Sequence, residues 1–196
     1  MAAIGRVHLK NKSRGRLISL LIISAILLLA VFTLCNGARW LYPLKYEGLV
    51  QEYSQKYGLD PFLVLAVIKA ESSFRHNAVS HKNARGLMQI TEGTGKWGAD
   101  KLGLKEFSAE RLFEPEVNIH IGCWYLSALY SQFGDTDLVL AAYNAGSGNV
   151  TRWLGDDELS ADGKSLDRIP FKETENYIRR VKNSYAIYKR LYENTF

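Results

Sequence analysis

The stretch Ala-Val-Ile-Lys-Ala-Glu-Ser-Ser-Phe, residues 66–74, places one carboxylate, that of Glu71, in an otherwise apolar helical turn. An ionised carboxylate is costly to bury, so we expect Glu71 either to find a partner or to hold its proton. The upstream pair Asp60-Pro61 combines an N-cap with a proline at the first helical position, which predicts a helix to about Ser73. Glu71 then lies near the carboxyl end of that helix, where the helix dipole disfavours its charge.

The chain after residue 45 is predicted to form helices joined by short turns. Helices are expected over 45–57, 87–102, 116–133, 136–145, 147–154 and 173–193, with irregular segments over 75–85 and 155–171. The segment 116–133 repeats apolar groups at helical spacing, and the first helix stops at Gly58, a natural C-terminal residue. No alternating apolar and polar run indicates a strand. The fold class is therefore all-α.

A segment of nineteen residues without a charge, 17–35, precedes this domain. As a helix it would be about 28 Å long, close to the roughly 30 Å hydrocarbon core of a bilayer. Five basic residues precede it, and no acid occurs before Glu47. The positive-inside rule then predicts a cytoplasmic tail over 1–16, a transmembrane anchor over 17–35, a juxtamembrane linker over 36–45, and an extracytoplasmic domain over 46–196. A cleaved signal peptide is the alternative, although its apolar region usually has about 7–15 residues.

Charge and cysteine content exclude several classes of function. The net charge is +5, and the tail alone supplies five positive charges, so the remaining twenty Lys and Arg balance the twenty Asp and Glu. The domain is therefore neutral, and nucleic acid is not an expected partner. Cys35 and Cys123 are too few for a disulfide framework or a zinc site, so both are expected to be free. We expect neither a metal nor a cofactor, and Cys35 lacks the preceding small residue of a lipidated cysteine.

Two further motifs add polar groups that suit a sugar ligand. In Ala-Arg-Gly-Leu-Met-Gln-Ile, residues 84–90, Gly86 permits close backbone approach and the Gln89 amide can bond sugar hydroxyls. In Ala-Tyr-Asn-Ala-Gly, residues 142–146, a phenol and an amide lie at a predicted helix end. Each motif also has a purely structural interpretation: a surface glutamate at 71, a solvent-facing glutamine, and a helix C-terminus at 146.

In this order and spacing the motifs resemble those of the soluble-type (SLT domain) lytic transglycosylases, members of the lysozyme-like superfamily. The resemblance covers about residues 46–190. It rests on Glu71-Ser72, Gly86-Leu87-Met88-Gln89, Ala142-Tyr143-Asn144-Ala145-Gly146 and Glu175-Asn176-Tyr177, together with Ala78-Val79-Ser80 and the segment 115–126. It implies a helical domain like that of goose-type lysozyme. The family commonly continues its Gln-Ile segment with Met-Pro, whereas Thr91-Glu92 follow here, which leaves the start of that helix open.

The resemblance implies cleavage of the bond between N-acetylmuramic acid and N-acetylglucosamine in peptidoglycan. In this family one acid protonates the bridging oxygen and then, as a carboxylate, takes the proton of the muramic acid C6 hydroxyl, which closes to a 1,6-anhydro end without water. Glu71 would be that acid. The substrate-binding residues implied are Ser72, Met88, Gln89, Tyr143, Asn144 and Tyr177.

Two other functions stay open at this point. A goose-type lysozyme would hydrolyse the same bond with two carboxylates at about 5–9.5 Å, and Glu92 is the nearest following acid. A glycan-binding or scaffold module whose site has lost its catalytic activity would bind glycan strands without cleaving them. The expected partners are peptidoglycan strands and, through the N-terminal helix, the membrane. A protein assembly that remodels the cell wall, or a secretion machinery, is the expected protein partner.

Overall fold

The computed structural model describes the backbone of residues 2–193 and 195–196, and the side chains of 19–33, 37–193 and 195–196. The chain divides into two compact units, Met1–Pro43 and Leu44–Phe196. The first unit contains one long helix, α1, Ala2–Leu41. Its part Ser19–Leu41 is long and apolar enough to cross a membrane, a test that a signal sequence also passes. The tail, anchor and linker boundaries stay predictions, and the side chain of Cys35 lies outside the described residues.

The second unit is built of helices. They are α2 (Glu47–Tyr57), α3 (Pro61–Ser72), α4 (Glu92–Leu102), a 3-10 turn (Ala109–Phe113), α5 (Pro115–Phe133), α6 (Thr136–Ala145), α7 (Ser147–Leu154) and α8 (Lys172–Tyr192). Across the described residues there is no strand, only isolated bridges that join Arg85 to Val79 and to Ile90. The all-α prediction is confirmed. The 3-10 turn was not predicted.

Helix α3 forms the centre of this unit. Every residue from Phe62 to Ile68 is buried, because the helix is apolar on all faces and is enclosed by its neighbours. It packs mainly against α8 and also against α2. The predicted N-cap is confirmed, since the Asp60 carboxylate accepts a hydrogen bond from the Phe62 amide at 2.8 Å. The helix ends where Ser73 adopts a left-handed backbone at φ 51°.

The predicted helix over 87–102 is wrong in its first turn. Helix α4 begins only at Glu92, and Thr91 caps it by accepting a hydrogen bond from the Thr94 amide at 3.2 Å. Residues 87–90 form a turn instead, because Gln89 has a left-handed backbone at φ 49°. The Met88 amide, moreover, bonds the Asn118 side chain at 2.7 Å rather than a carbonyl of its own segment. Tertiary bonds thus override the local helical pattern.

Candidate active site

Glu71 lies in the last turn of α3, and its side chain is partly buried. It lines a pocket of about 150 Å³. The other lining residues come from the loop after α3, the end of α6 and the start of α8: Ser80, His81, Lys82, Ala84, Gln89, Thr91, Tyr143, Asn144 and Glu173. The fold therefore brings the predicted site residues Gln89, Tyr143 and Asn144 to one pocket with Glu71.

The surroundings of Glu71 favour its protonated form. Burial raises the pKa of this carboxyl from 4.5 to about 7, against the lowering effects of a Tyr177 contact and of the Arg180 charge. The negative charge of Glu173 adds a smaller upward contribution. A carboxylic acid with a pKa near 7 can both donate and recover a proton at neutral pH, which is what a general acid–base requires. The upward direction of this pKa agrees with the sequence-based reasoning on apolar surroundings, while the catalytic role of Glu71 stays a prediction.

Tyr177 adjoins the Glu71 carboxyl from α8. Its ring is buried, and in the described part of the chain its hydroxyl has no hydrogen bond of ordinary geometry. The contact between the two groups nevertheless lowers the pKa of Glu71, so the hydroxyl and the carboxyl are close but not optimally aligned. A buried unsatisfied hydroxyl is uncommon in native structures. It lies close enough to the Glu71 carboxyl to stabilise the ionised form.

Tyr143 and Asn144 are held at the end of α6 by bonds to neighbouring elements. The Tyr143 hydroxyl donates to the Met88 backbone carbonyl at 2.8 Å, and the side-chain oxygen Oδ1 of Asn144 accepts from the Thr174 hydroxyl at 2.8 Å. Burial, followed by the charge of Glu71, raises the pKa of Tyr143 well above its usual value. The Tyr143 phenol therefore stays neutral and forms a rigid wall of the pocket.

Gln89 is fixed by its own loop. Its side-chain amide donates to the carbonyls of Gly86 at 2.8 Å and Ala78 at 3.1 Å. Both donors point into the loop, so the free group on this side chain is the acceptor Oε1. A sugar hydroxyl or an acetamido N–H would satisfy that acceptor.

Asn118, buried on α5, clamps the loop that carries Gln89. Its side chain accepts from the Met88 amide at 2.7 Å and donates to the carbonyls of Arg85 at 2.9 Å and Leu112 at 2.7 Å. Gly86 allows this approach, since any side chain there would collide with Leu112 and with Asn118. The sequence motif contained Asn118, but its positioning role was not predicted, because its bonds to Met88 and Arg85 span 30 and 33 residues.

Ser72 and Met88 lie beside the pocket rather than on its surface. Ser72 is buried and its hydroxyl donates to the Ile68 carbonyl at 3.1 Å. Met88 is fully buried against Gly122 of α5, where a side chain would collide with the Met88 sulfur. Their expected contact with substrate stays a prediction.

The second acid of the pocket is Glu173. Glu92 is exposed at the start of α4 and does not line the pocket. Glu173 does line it, and its charge reaches Glu71. The signal that could have identified Glu173 is its position four residues before Tyr177, which places both side chains on one face of the same helix.

The site thus combines one partly buried glutamate with amide and phenol groups in a helical domain. The family model described as the transglycosylase SLT domain matches residues 48–165. The chain belongs to this family.

Named relatives and solved structures agree with that assignment. The chain is 34% identical to the soluble lytic murein transglycosylase of Salmonella typhimurium over 76% of its own length and 23% of the relative's. It is 32% identical to the membrane-bound lytic murein transglycosylase C of Cronobacter sakazakii, over 94% of this chain and 55% of that one. The 70 kDa soluble lytic transglycosylase of Escherichia coli is similar in structure, with a TM-score of 0.69 and 31% identity, over 81% of this chain and 26% of that chain.

A further similar structure is that of an inactive glutamate-to-glutamine variant of lytic transglycosylase Slt from Pseudomonas aeruginosa. Its TM-score is 0.67 at 34% identity, over 76% of this chain and 24% of that one. The chain therefore spans about a quarter of its soluble relatives and about half of the membrane-bound ones. The lysozyme-like fold prediction is confirmed by these neighbours.

Proposed function

We propose that the protein is a membrane-anchored peptidoglycan lytic transglycosylase. Glu71 protonates the oxygen between N-acetylmuramic acid and N-acetylglucosamine, and the resulting carboxylate then takes the proton of the C6 hydroxyl. That hydroxyl attacks the anomeric carbon, so the bond to the leaving sugar breaks as a 1,6-anhydro ring forms. The single observation that carries the proposal is the partly buried Glu71 carboxyl, with its pKa raised to about 7 by burial.

The neighbours of Glu71 support the two halves of this cycle. Burial favours the neutral acid before cleavage, and the Tyr177 hydroxyl and the Arg180 charge stabilise the carboxylate that follows. Gln89, Tyr143 and Asn144 line the same pocket and would hold the sugar rings. An inactive glutamate variant of the similar Pseudomonas aeruginosa enzyme is consistent with an essential glutamate in this fold.

Hydrolysis of the same bond is the second candidate, and Glu173 is the observation that favours it. Its carboxylate lines the pocket together with that of Glu71, as a two-carboxylate mechanism requires. Its side chain is exposed, however, and its charge is the smallest of the influences on the pKa of Glu71. We therefore assign it to the rim of the site rather than to the bond-breaking step.

Three isosteric glutamate variants separate these functions. The full chain in detergent is incubated with purified peptidoglycan, and the released fragments are weighed by mass spectrometry. Glu71→Gln should release no fragments, while Glu173→Gln should still form anhydro ends. Glu92→Gln, which changes an exposed glutamate outside the pocket, is the matched control and should keep the wild-type products. Reducing muramic ends that disappear in Glu173→Gln would establish hydrolysis instead.

We further propose that α1 anchors the enzyme and that the domain works on the outer side of the membrane. The apolar helical segment Ser19–Leu41 supports an anchor, and the relative that matches 94% of this chain is called membrane-bound. The test is fractionation of cells that express the full chain. Recovery in the membrane after alkaline carbonate extraction is expected, and a shortened form in the culture medium would contradict it.

A further inference from the structure

One wall of the pocket that holds Glu71 is basic. His81 and Lys82 line the pocket from the loop that follows α3. The cation that acts on the Glu71 carboxyl is Arg180, on α8. His81 and Lys82 therefore line the pocket but are not among the charges that shift the pKa of Glu71.

The turn that presents these two side chains is preorganised. The Ser80 backbone amide donates a hydrogen bond to the Ala84 carbonyl at 2.9 Å. The Ser80 hydroxyl oxygen also accepts from the amides of Lys82 at 3.2 Å and Ala84 at 3.0 Å. Asn83 closes the turn with a left-handed backbone at φ 59°, a conformation that asparagine tolerates better than most residues. The backbone of this turn is thus fixed before any ligand arrives.

Both basic side chains are exposed and accessible to a ligand. Among the described residues, the side chains of His81 and Lys82 form no hydrogen bond and no ion pair. Arg85, further along the same loop, contrasts with them because it pairs with Glu110 at 3.1 Å. A preorganised turn with two unpaired basic groups in a pocket is suited to bind an anion that the ligand brings.

We propose that His81 and Lys82 recognise the carboxylates of the peptide attached to muramic acid, and that they make the cleft prefer peptide-bearing strands to uncharged glycan. This inference rests on the proposed function. The alternating N-acetyl sugars themselves are neutral, so the acidic groups of a strand lie on its peptides. Glu173 adds a negative charge elsewhere on the pocket lining, which directs an acidic group towards the basic turn.

The test measures binding without cleavage. The full chain in detergent carries Glu71→Gln and is sedimented with insoluble peptidoglycan, either untreated or with its carboxyl groups converted to neutral methylamides. Binding to the untreated form should be about three- to tenfold tighter at low salt, and the preference should shrink as salt rises. Adding Lys82→Gln should reduce that ratio about three- to fivefold, while Lys82→Arg should retain it.

The matched control is Lys96→Gln, which removes one exposed positive charge from α4 outside the pocket. It should leave the ratio as it is. Equal binding to the two forms of peptidoglycan, or a Lys82→Gln chain with an undiminished ratio, would overturn the inference. Since this measurement needs no cleavage, its failure is distinct from a failure of the proposed function, which shows in the products of the unmodified chain.

Discussion

Two cavities lie at opposite ends of helices α3 and α6, and residues of α8 line both of them. The pocket that contains Glu71, here called the Glu71 pocket and about 150 Å³ in volume, lies at the carboxyl ends of α3 and α6. A second cavity of about 520 Å³, here called the distal cavity, lies at their amino ends and is lined by Asp60, Thr136 and Tyr185 among others. The larger cavity is thus the one without the predicted chemistry.

The two cavities differ in whether their polar groups are already satisfied. In the distal cavity, the Asp60 carboxylate accepts from the Phe62 amide at 2.8 Å and from the Tyr185 hydroxyl at 2.6 Å. Lys182 pairs there with Asp137 at 2.8 Å. Beside the Glu71 pocket, by contrast, the Tyr177 hydroxyl lacks an ordinary hydrogen bond among the described residues, and the pKa of Glu71 is raised to about 7. An unsatisfied hydroxyl and a perturbed carboxyl, rather than volume, therefore distinguish the candidate site from the distal cavity.

The largest difference between the two cavities is expected when the same carboxyl-to-amide change is made in each. Glu71→Gln should lower peptidoglycan cleavage by at least about a thousandfold, because the proton donor and acceptor is lost. Asp60→Asn should keep activity within about twofold and cost at most about 1 kcal/mol of stability, since asparagine remains a good N-cap. Initial rates of muropeptide release and denaturant unfolding measure the two effects. A large loss of activity in Asp60→Asn would contradict the claim that the distal cavity takes no part in cleavage.

The pH dependence of stability gives the next largest effect. The folded-state pKa of Glu71 is raised above its ordinary value of 4.5, so the folded chain holds a proton that the unfolded chain loses. The free energy of unfolding should therefore fall as pH rises from 4.5 to about 7, by up to about 3 kcal/mol from this group. Glu71→Gln should match the wild type near pH 4 and exceed it at pH 8 in denaturant unfolding. Equal stability of the two chains at pH 8 would contradict the burial of Glu71.

Tyr177→Phe tests the unsatisfied hydroxyl. We expect cleavage to fall about tenfold or more, because the Glu71 carboxylate loses the neighbour that stabilises its charge. The same contact lowers the pKa of Glu71 in the native chain, so its loss should raise that pKa and shift the pH–rate profile to higher pH. Stability should hold or rise, since no ordinary hydrogen bond is lost. An unshifted pH–rate profile would show that the Tyr177 hydroxyl does not act on the Glu71 carboxyl during the reaction.

Tyr185→Phe is the matched change in the distal cavity and should have the smallest effect on catalysis. It removes the 2.6 Å hydrogen bond to Asp60, which should lower stability by about 1 kcal/mol. Activity should stay within about twofold. If Tyr185→Phe reduced cleavage as much as Tyr177→Phe, the distal cavity would be coupled to the site and the comparison would have to be revised.

Local patterns predicted the helical scaffold and the surroundings of the acid. The Asp60-Pro61 cap, the end of α2 at Gly58 and the apolar run before Glu71 each depend on neighbours in the chain, so the sequence was sufficient. These same features predicted that Glu71 would be an acid at a helix end in apolar surroundings.

The loop that completes the pocket was less predictable, because its geometry depends on distant residues. The turn at 87–90 replaces a predicted helix since Asn118, on α5, binds the Met88 amide. The predicted rival acid, Glu92, is exposed at the start of α4 and does not line the pocket, whereas Glu173 lines it from α8. The bond from Asn118 is tertiary and leaves no periodic signal in the sequence, whereas the helical spacing of Glu173 and Tyr177 could have indicated the second acid.

The most direct test of the central claim, that Glu71 alone acts as acid and then base, is digestion of peptidoglycan by the full chain in water enriched in heavy oxygen. Mass spectrometry then reads the new muramic acid ends. The account predicts 1,6-anhydro ends that carry no heavy oxygen, because the C6 hydroxyl of the sugar is the nucleophile. Reducing ends that carry one heavy oxygen atom would contradict it, since they require attack by water and a second carboxylate to activate it.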